Sequence, residues 1–306
     1  MARINIVHTT EYTYRNPVGL SRHRLMVRPD ESHDLHLHQA ELDVDPVPSA
    51  MYWKHDVFDN SICFLEWPET ERTERLRIVS TLDLTHHPVG PKLPDYRLDP
   101  GAETFPFSYS ESEIRDLARL TERQLPDPGR TVDAWARRVV AQVGSSDTLA
   151  VLEAMTRAIK AEFTYGARFE EGTQTAARTI ELGTGTCRDF AVLMMEALRS
   201  YGLATRFVTG YLYDDTWGTT RGGGSTHAWC AVFLPGAGWV EYDPTNGLVA
   251  GTNLVRVGVT RDAAQASPIS GGFFGRADDV IGMHVDVVVS AVPLTQQDQA
   301  SAVPPT

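Results

Sequence analysis

Apolar and polar residues alternate with a period of two through the first third of the chain: Ile4 and Ile6, Tyr12 and Tyr14, Leu35 and Leu37, Leu76 and Ile78, Leu82 and Leu84. Successive strand side chains point to opposite faces, so this pattern predicts half-buried β-strands. Asp59-Asn60 lies between the apolar runs 51–58 and 62–67. Both residues tolerate positive φ, and the pair predicts a hairpin turn. Several short strands spaced this way suggest a β-sandwich-like N-terminal domain over residues 1–105. Pro88, Pro91, Pro94, Pro100 and Pro106 then punctuate a segment that supports neither helix nor central strand, which sets the boundary near residue 105.

The period then becomes helical. Ser110 followed by Glu113 forms a capping box ahead of an Ile114, Leu117, Ala118 stripe. A second helix is predicted over 132–143, stopping at Gly144. A third opens near Asp147 and carries Leu152, Met155, Ile159 and Phe163 at spacings of three and four. In a fourth, Phe190, Ala191, Met194, Ala197, Leu198 and Tyr201 share one face, Thr186 and Asp189 cap the start, and Gly202 is the C′ residue. Strands return at 207–213, 228–234 and 239–243. This α+β pattern defines a second domain over 106–275. A last alternating run, Val285, Val287 and Val289, marks a strand in 276–295 that could return to the N-terminal domain, followed by a loose tail over 296–306.

The chain's 28 Lys+Arg against 40 Asp+Glu give a formal charge of −12. Phosphate-rich partners are repelled, and no basic run offsets the balance, so neither nucleic-acid nor anionic-membrane binding is expected. The first residues are too polar for a secretory leader, and no run approaches a membrane span. Three dispersed cysteines, Cys63, Cys187 and Cys230, do not make a disulfide framework, and a reducing cytoplasm is the expected compartment.

The chemistry concentrates at Cys187, the first position of the fourth helix. The positive end of a helix macrodipole favours the thiolate, the form that attacks carbonyls. The loop Gly183-Thr184-Gly185-Thr186 before it is small enough for a substrate backbone to approach. Cys63 and Cys230 lie in apolar strand contexts and read as core. A cysteine nucleophile needs a base, and the base needs an orienting partner. His227 follows Gly222-Gly223-Gly224 and begins a strand, and Asp243 ends the next. Hairpin parity decides whether they meet. Pairing Leu234 with Trp239 puts them on opposite faces, whereas pairing Leu234 with Val240, or Pro235 with Trp239, puts them on one face.

The segments Thr184-Gly185-Thr186-Cys187-Arg188-Asp189-Phe190-Ala191, Thr226-His227-Ala228-Trp229 and Gly238-Trp239-Val240-Glu241-Tyr242-Asp243-Pro244-Thr245-Asn246 resemble, in type, order and spacing, the three signature blocks of the transglutaminase-like superfamily. The resemblance is strong over residues 147–247, and the strand-rich N-terminal part looks like the companion β domain of bacterial members. It implies a papain-like transglutaminase core, helices packed on an antiparallel sheet, with Cys187 as nucleophile, His227 as base and acid, and Asp243 as orienter. The implied reaction is cleavage of a peptide or protein amide through a thioester. Water as acceptor makes a cysteine peptidase or amidase, an amine makes a protein-glutamine γ-glutamyltransferase, and a third reading is a non-catalytic interaction scaffold.

The Cys187 backbone N–H is the first oxyanion donor, with Tyr165 and then Gln174 as candidates for the second. Trp229 and Trp239 are candidate walls of the substrate cleft. No cofactor and no metal are expected. His33, His36, His38, His86 and His87 lack ligand spacing, and Asp214-Asp215 has no calcium-loop pattern.

Overall fold

A computed structural model describes residues 2–87, 97–166, 172–213, 226–249 and 253–293. The N-terminal part comprises β1 (Ala2–Leu20), β2 (His23–Leu25), β3 (Leu35–Asp45), β4 (Ala50–His55), β5 (Ser61–Glu66) and β6 (Thr73–His86). The helical part follows with α1 (Glu111–Thr121), α2 (Thr131–Val143), α3 (Thr148–Glu162), β7 (Thr164–Tyr165), α4 (Ala176–Leu182), β8 (Thr184–Gly185) and α5 (Cys187–Arg199). The chain then runs through β9 (Thr205–Leu212), β10 (Thr226–Leu234), β11 (Gly238–Asp243), β12 (Leu248–Val249), β13 (Leu254–Thr260), β14 (Ile269–Ser270), β15 (Phe273–Phe274) and β16 (Val280–Pro293).

The alternation of the first third produces two antiparallel sheets. One orders β15-β1-β6-β3, with β16 also paired to β1, and the other orders β14-β2-β5-β4. Their inner faces enclose Tyr14, Val18, Leu25, Cys63, Leu65, Trp67, Leu76 and Ile78. The β4–β5 turn uses positive φ at Asp59 (66°) but not at Asn60. Asp56 Oδ1 organises this turn by accepting from the Phe58 and Asn60 amides at 2.9 and 3.0 Å.

β16 pairs antiparallel with β1 from Ala2↔Pro293 to Tyr14↔Val280, so the two ends of the described chain lie side by side. The return begins earlier than residue 276. β14 pairs with β2 and β15 with β1, so residues from Ile269 onward already belong to the N-terminal sheets. The expected tail over 296–306 lies outside the described residues, as do Pro88, Pro91 and Pro94.

The second part is a sheet ordered β12-β11-β10-β9-β13 with helices on one face. α5 runs through its core: Phe190, Ala191, Leu193, Met194, Ala197 and Leu198 are inaccessible, packed with Ala228, Cys230 and Val232 of β10 and with residues of α2 and α3. Ser110 and Thr186 make the predicted capping boxes. Gly144 and Gly202 take the left-handed conformation after their helices, and the Leu203 amide returns to the Leu198 carbonyl at 3.2 Å. In α1, Leu117 is buried but Ile114 is 37% exposed, so the stripe is narrower than its pattern. α4 and β13 are elements beyond those predicted.

A third core joins the two parts, with Ile4, Ile6, Leu82, Leu84 and Val287 meeting Tyr211, Val255 and Val257. Polar contacts lock it. His8 Nδ1 pairs with Tyr211 Oη at 3.0 Å, and Asn60 spans the backbone of Val259, donating to its carbonyl at 2.7 Å and accepting from its amide at 2.8 Å.

Candidate active site

Cys187 opens α5 because Thr186 and Asp189 end the extended backbone there. Asp189 Oδ2 accepts from the Thr186 amide and hydroxyl, both at 2.9 Å, and the same hydroxyl accepts from the Asp189 amide. The Gln174 amide donates to Asp189 Oδ1 at 2.7 Å. Among the three cysteines, Cys187 is 7% exposed while Cys63 and Cys230 are at 0%. Burial pushes the Cys63 thiol up to about 11 and the Cys230 thiol higher still, so both are inert core thiols.

β10 and β11 pair with Leu234 opposite Gly238, Phe233 opposite Trp239 and Cys230 opposite Tyr242. This register is shifted by two residues from the one that pairs Leu234 with Val240 and Pro235 with Trp239, and it has the same parity, so His227 and Asp243 project from one face. His227 Nε2 lies 2.9 Å from Asp243 Oδ2, both side chains fully buried. A carboxylate only accepts, so Nε2 carries the proton and Nδ1 is left for another partner. Nδ1 is buried and has no well-aligned hydrogen bond. Cys187 is a neighbour of the ring and contributes to its raised pKa.

Burial alone pushes the imidazolium down. The charge of Asp243, its hydrogen bond and the Cys187 thiol together override this and raise His227 to about 10. Burial likewise opposes ionisation of Asp243, but His227 and the hydrogen bonds of Asn246 hold its carboxyl below the usual range. Asp243 Oδ1 accepts from the Thr245 and Asn246 amides at 3.0 and 3.3 Å, and Oδ2 also accepts from Asn246 Nδ2 at 2.8 Å. Lys160 Nζ fixes the Asn246 carbonyl from α3 at 2.7 Å.

Tyr165 sits beside this group. The parallel β7–β8 bridge sets it opposite Gly185, two residues before Cys187, and its ring meets Phe190 at 6.4 Å. Burial, then the charges of Cys187 and Asp243, push its phenol up to about 12, which keeps it a neutral donor. Gln174 is differently employed. Its Nε2 donates to the Thr184 carbonyl at 3.2 Å and to Asp189 Oδ2 at 3.3 Å, so both amide hydrogens brace the helix cap rather than face an oxyanion.

The loop glycines have structural reasons. Gly183 ends α4 at φ 65°, and a Cβ on Gly185 would sit 3.0 Å from Asp189 Cβ and 3.1 Å from the Phe190 ring. Packing on the cap, rather than room for substrate, explains Gly185.

Trp229 is a back wall, not a cleft surface. It is wholly buried and stacks on His227 with ring centroids 5.9 Å apart and planes at 26°. Trp239 belongs elsewhere. It is four residues from Asp243, about 13 Å along the strand, and it packs against Phe233 beneath the Arg206 guanidinium. Asn246 and Glu241 have site contacts that sequence reasoning did not assign, although both lie in the third signature segment. Asp214-Asp215 and Gly222-Gly223-Gly224 fall outside the described residues. Among the described residues, no group of three His, Cys, Asp or Glu side chains could hold a metal ion. His36 instead pairs with Glu31 at 2.6 Å and His38 with Thr85 at 2.7 Å.

The model of the transglutaminase-like superfamily matches residues 133–244, the stretch that carries α2 to Asp243, and that of the bacterial transglutaminase-like N-terminal region matches residues 4–85. Residues 133–244 are thus a transglutaminase-like core, preceded by an N-terminal region of the bacterial transglutaminase-like kind. Similar chains include an uncharacterised protein of Mycobacterium tuberculosis, 28% identical, with 94% of this chain and 92% of the relative aligned. An uncharacterised protein of Mycobacterium leprae is 39% identical over 36% of this chain and 38% of its own length. A crystal structure from Cytophaga hutchinsonii, described as a candidate cysteine protease, superimposes with a TM-score of 0.69 at 21% identity, covering 96% of this chain and 93% of the other. The fold, helical core and β-rich N-terminal part together, is therefore shared over nearly the whole length. No helix among the described residues is long and apolar enough to cross a membrane.

Proposed function

We propose that this protein is a cysteine-dependent peptidase or amidase, acting on a peptide or protein amide through a thioester. The observation that carries the reading is one buried imidazole held by Asp243 at 2.9 Å on Nε2, with Cys187 among the groups that act on the ring. In this mechanism Nδ1 takes the thiol proton and the sulfur attacks the amide carbonyl. The Cys187 backbone N–H receives the developing oxyanion, and Tyr165 is the candidate second donor. The imidazolium returns its proton to the leaving amine, whose C–N bond breaks as the thioester forms. Water then adds to the thioester with His227 as base, which releases the acid and restores the thiol. Asp243 keeps the ring's tautomer throughout.

Water is the proposed acceptor, and the two buried carboxylates serve the nucleophile and its base: Asp243 is engaged with His227 and Asn246, and Asp189 with the helix cap. Three free thiols suit a reducing compartment. The test is turnover of a peptide-amide library in the presence of a labelled primary amine, with Cys187→Ala as control. Hydrolysed product without label supports the proposal. Amine incorporation favours the acyltransferase, and no Cys187-dependent turnover favours a scaffold.

A further inference from the structure

We infer that Glu241 is a positioning residue for His227, acting through the indole of Trp229, and that Asp34 of the N-terminal β domain stands at the far end of the same line of contacts. The inference rests on the reading of His227 as the base.

The imidazole must present Nε2 to Asp243 and Nδ1 to the thiol together, so its ring plane has little freedom. Rotation by a few tens of degrees breaks one contact or the other. What fixes the plane from the side is Trp229, two residues along the same strand face and stacked on the ring. The indole has no room behind it. A Cβ on Gly210, the residue paired with His227 across β9, would lie 2.8 Å from Trp229 Cη2 and 2.0 Å from the Val255 carbonyl oxygen.

The indole's one polar atom is also held. Trp229 Nε1 donates to Glu241 Oε2 at 3.0 Å, which fixes the rotation of the ring in its plane. Glu241 Oε1 accepts from Arg256 Nη1 at 3.0 Å, and Arg256 Nη2 lies 3.8 Å from Asp34 Oδ1. Asp34 directly precedes β3, and Arg256 lies on β13, the strand whose Val255 and Val257 join the core between the two parts. Arg206, seated on Trp239 at 4.2 Å, is a second cation acting on this group. Glu241 thus has a carboxylate oxygen for each neighbour, one for the indole beside the base and one for the cation that leads to the N-terminal domain.

The test compares the wild type with Glu241→Gln, Trp229→Phe, the double variant and Arg256→Met in the full chain. The rate of Cys187 alkylation by iodoacetamide is measured against pH by mass spectrometry, with thermal melting recorded alongside. Gln keeps an acceptor but turns a donor toward Arg256 or Trp229, and Phe keeps a ring but has no N–H. Glu241→Gln and Trp229→Phe are each expected to lower the Cys187 rate below pH 7 about tenfold, short of the roughly hundredfold that a 1 Å misplacement can cost. The double variant should lose no more than the worse single one, the non-additivity of residues acting through one contact. Arg256→Met should shift the profile in the same direction by less. A purely structural role would lower the melting temperature and leave the low-pH rate unchanged. If folded variants keep the wild-type profile within twofold, the inference is overturned while the Cys–His reading stands. If the wild type itself has no low-pH reactivity, both fall. Should Trp229→Phe fail to fold, Glu241→Gln and Arg256→Met decide the question.

Discussion

Asn246 Nδ2 and His227 Nε2 converge on the same oxygen of Asp243, at 2.8 and 2.9 Å, while the other oxygen takes the backbone amides of Thr245 and Asn246. The carboxylate is therefore aimed by the turn that follows it. Replacing Asn246 by Ala removes a buried charge-assisted bond, worth about 1.5–3 kcal/mol. We expect a loss of stability of that order in urea titration, and a fall in low-pH Cys187 alkylation of about tenfold, as Oδ2 loses the side-chain bond that aims it at the imidazole while the backbone amides still hold Oδ1.

Tyr165→Phe separates oxyanion stabilisation from nucleophile activation. Alkylation builds no oxyanion, so its pH profile should be unchanged. Amide turnover should fall about a hundredfold, the usual loss for one oxyanion donor. Equal loss in both measurements would make Tyr165 a support for the Cys187 loop instead.

Stability should respond to acid through His8, which burial lowers to about 4 while it bonds Tyr211 and Thr10 between the two parts of the molecule. A base held neutral in the folded state adds stability above the unfolded pKa near 6.5, and this is lost as pH falls toward 4. From pH 7 to 5 the loss is about 2 kcal/mol for such a group. His8→Asn should be less stable at pH 7 but lose less between pH 7 and 5 than the wild type, measured by urea unfolding at each pH. His227 has the opposite sign. Its raised pKa adds stability that is complete below about 6.5 and lost as pH rises through about 10, so His227→Ala should flatten the alkaline limb.

Glu196 and Arg199 form an ion pair at 3.1 Å inside the core, and Glu196 also accepts from Arg123 at 2.8 Å and from the Gln124 amide at 3.1 Å. Glu196→Ala leaves the Arg199 guanidinium buried without its carboxylate, a change that costs about 3–5 kcal/mol. Equilibrium unfolding should show a loss in that range, and Glu196→Gln should recover part of it.

The elements legible in the sequence were those written in local chemistry. Ser110 with Glu113 and Thr186 with Asp189 mark helix starts within four residues. The strand period left both hairpin parities open, so Cys187, His227 and Asp243 were grouped by the resemblance of their three segments, and the pairing of Leu234 with Gly238 supplies the parity. α4 was not legible because seven residues with Ala176 and Thr179 facing inward barely establish a helical period. β13 has both faces covered and a bulge between Arg256 and Gly258, so it does not alternate. The pairing of β16 with β1 joins opposite ends of the chain, and no local pattern encodes a partner. Gln174 and Trp239 are placed differently from expectation for separate reasons: the side-chain amide of Gln174 is spent on the helix cap, and Trp239, although inside the third segment, packs on Phe233.

The most direct measurement is the pH dependence of Cys187 alkylation in the wild type and in His227→Ala, with Cys63 and Cys230 as internal controls. The account predicts selective reaction of Cys187 below neutral pH, lost without His227, and little reaction of the two core thiols. Reaction of Cys187 only near pH 8.5 and above, as for a free thiol, or an unchanged profile in His227→Ala, would contradict it.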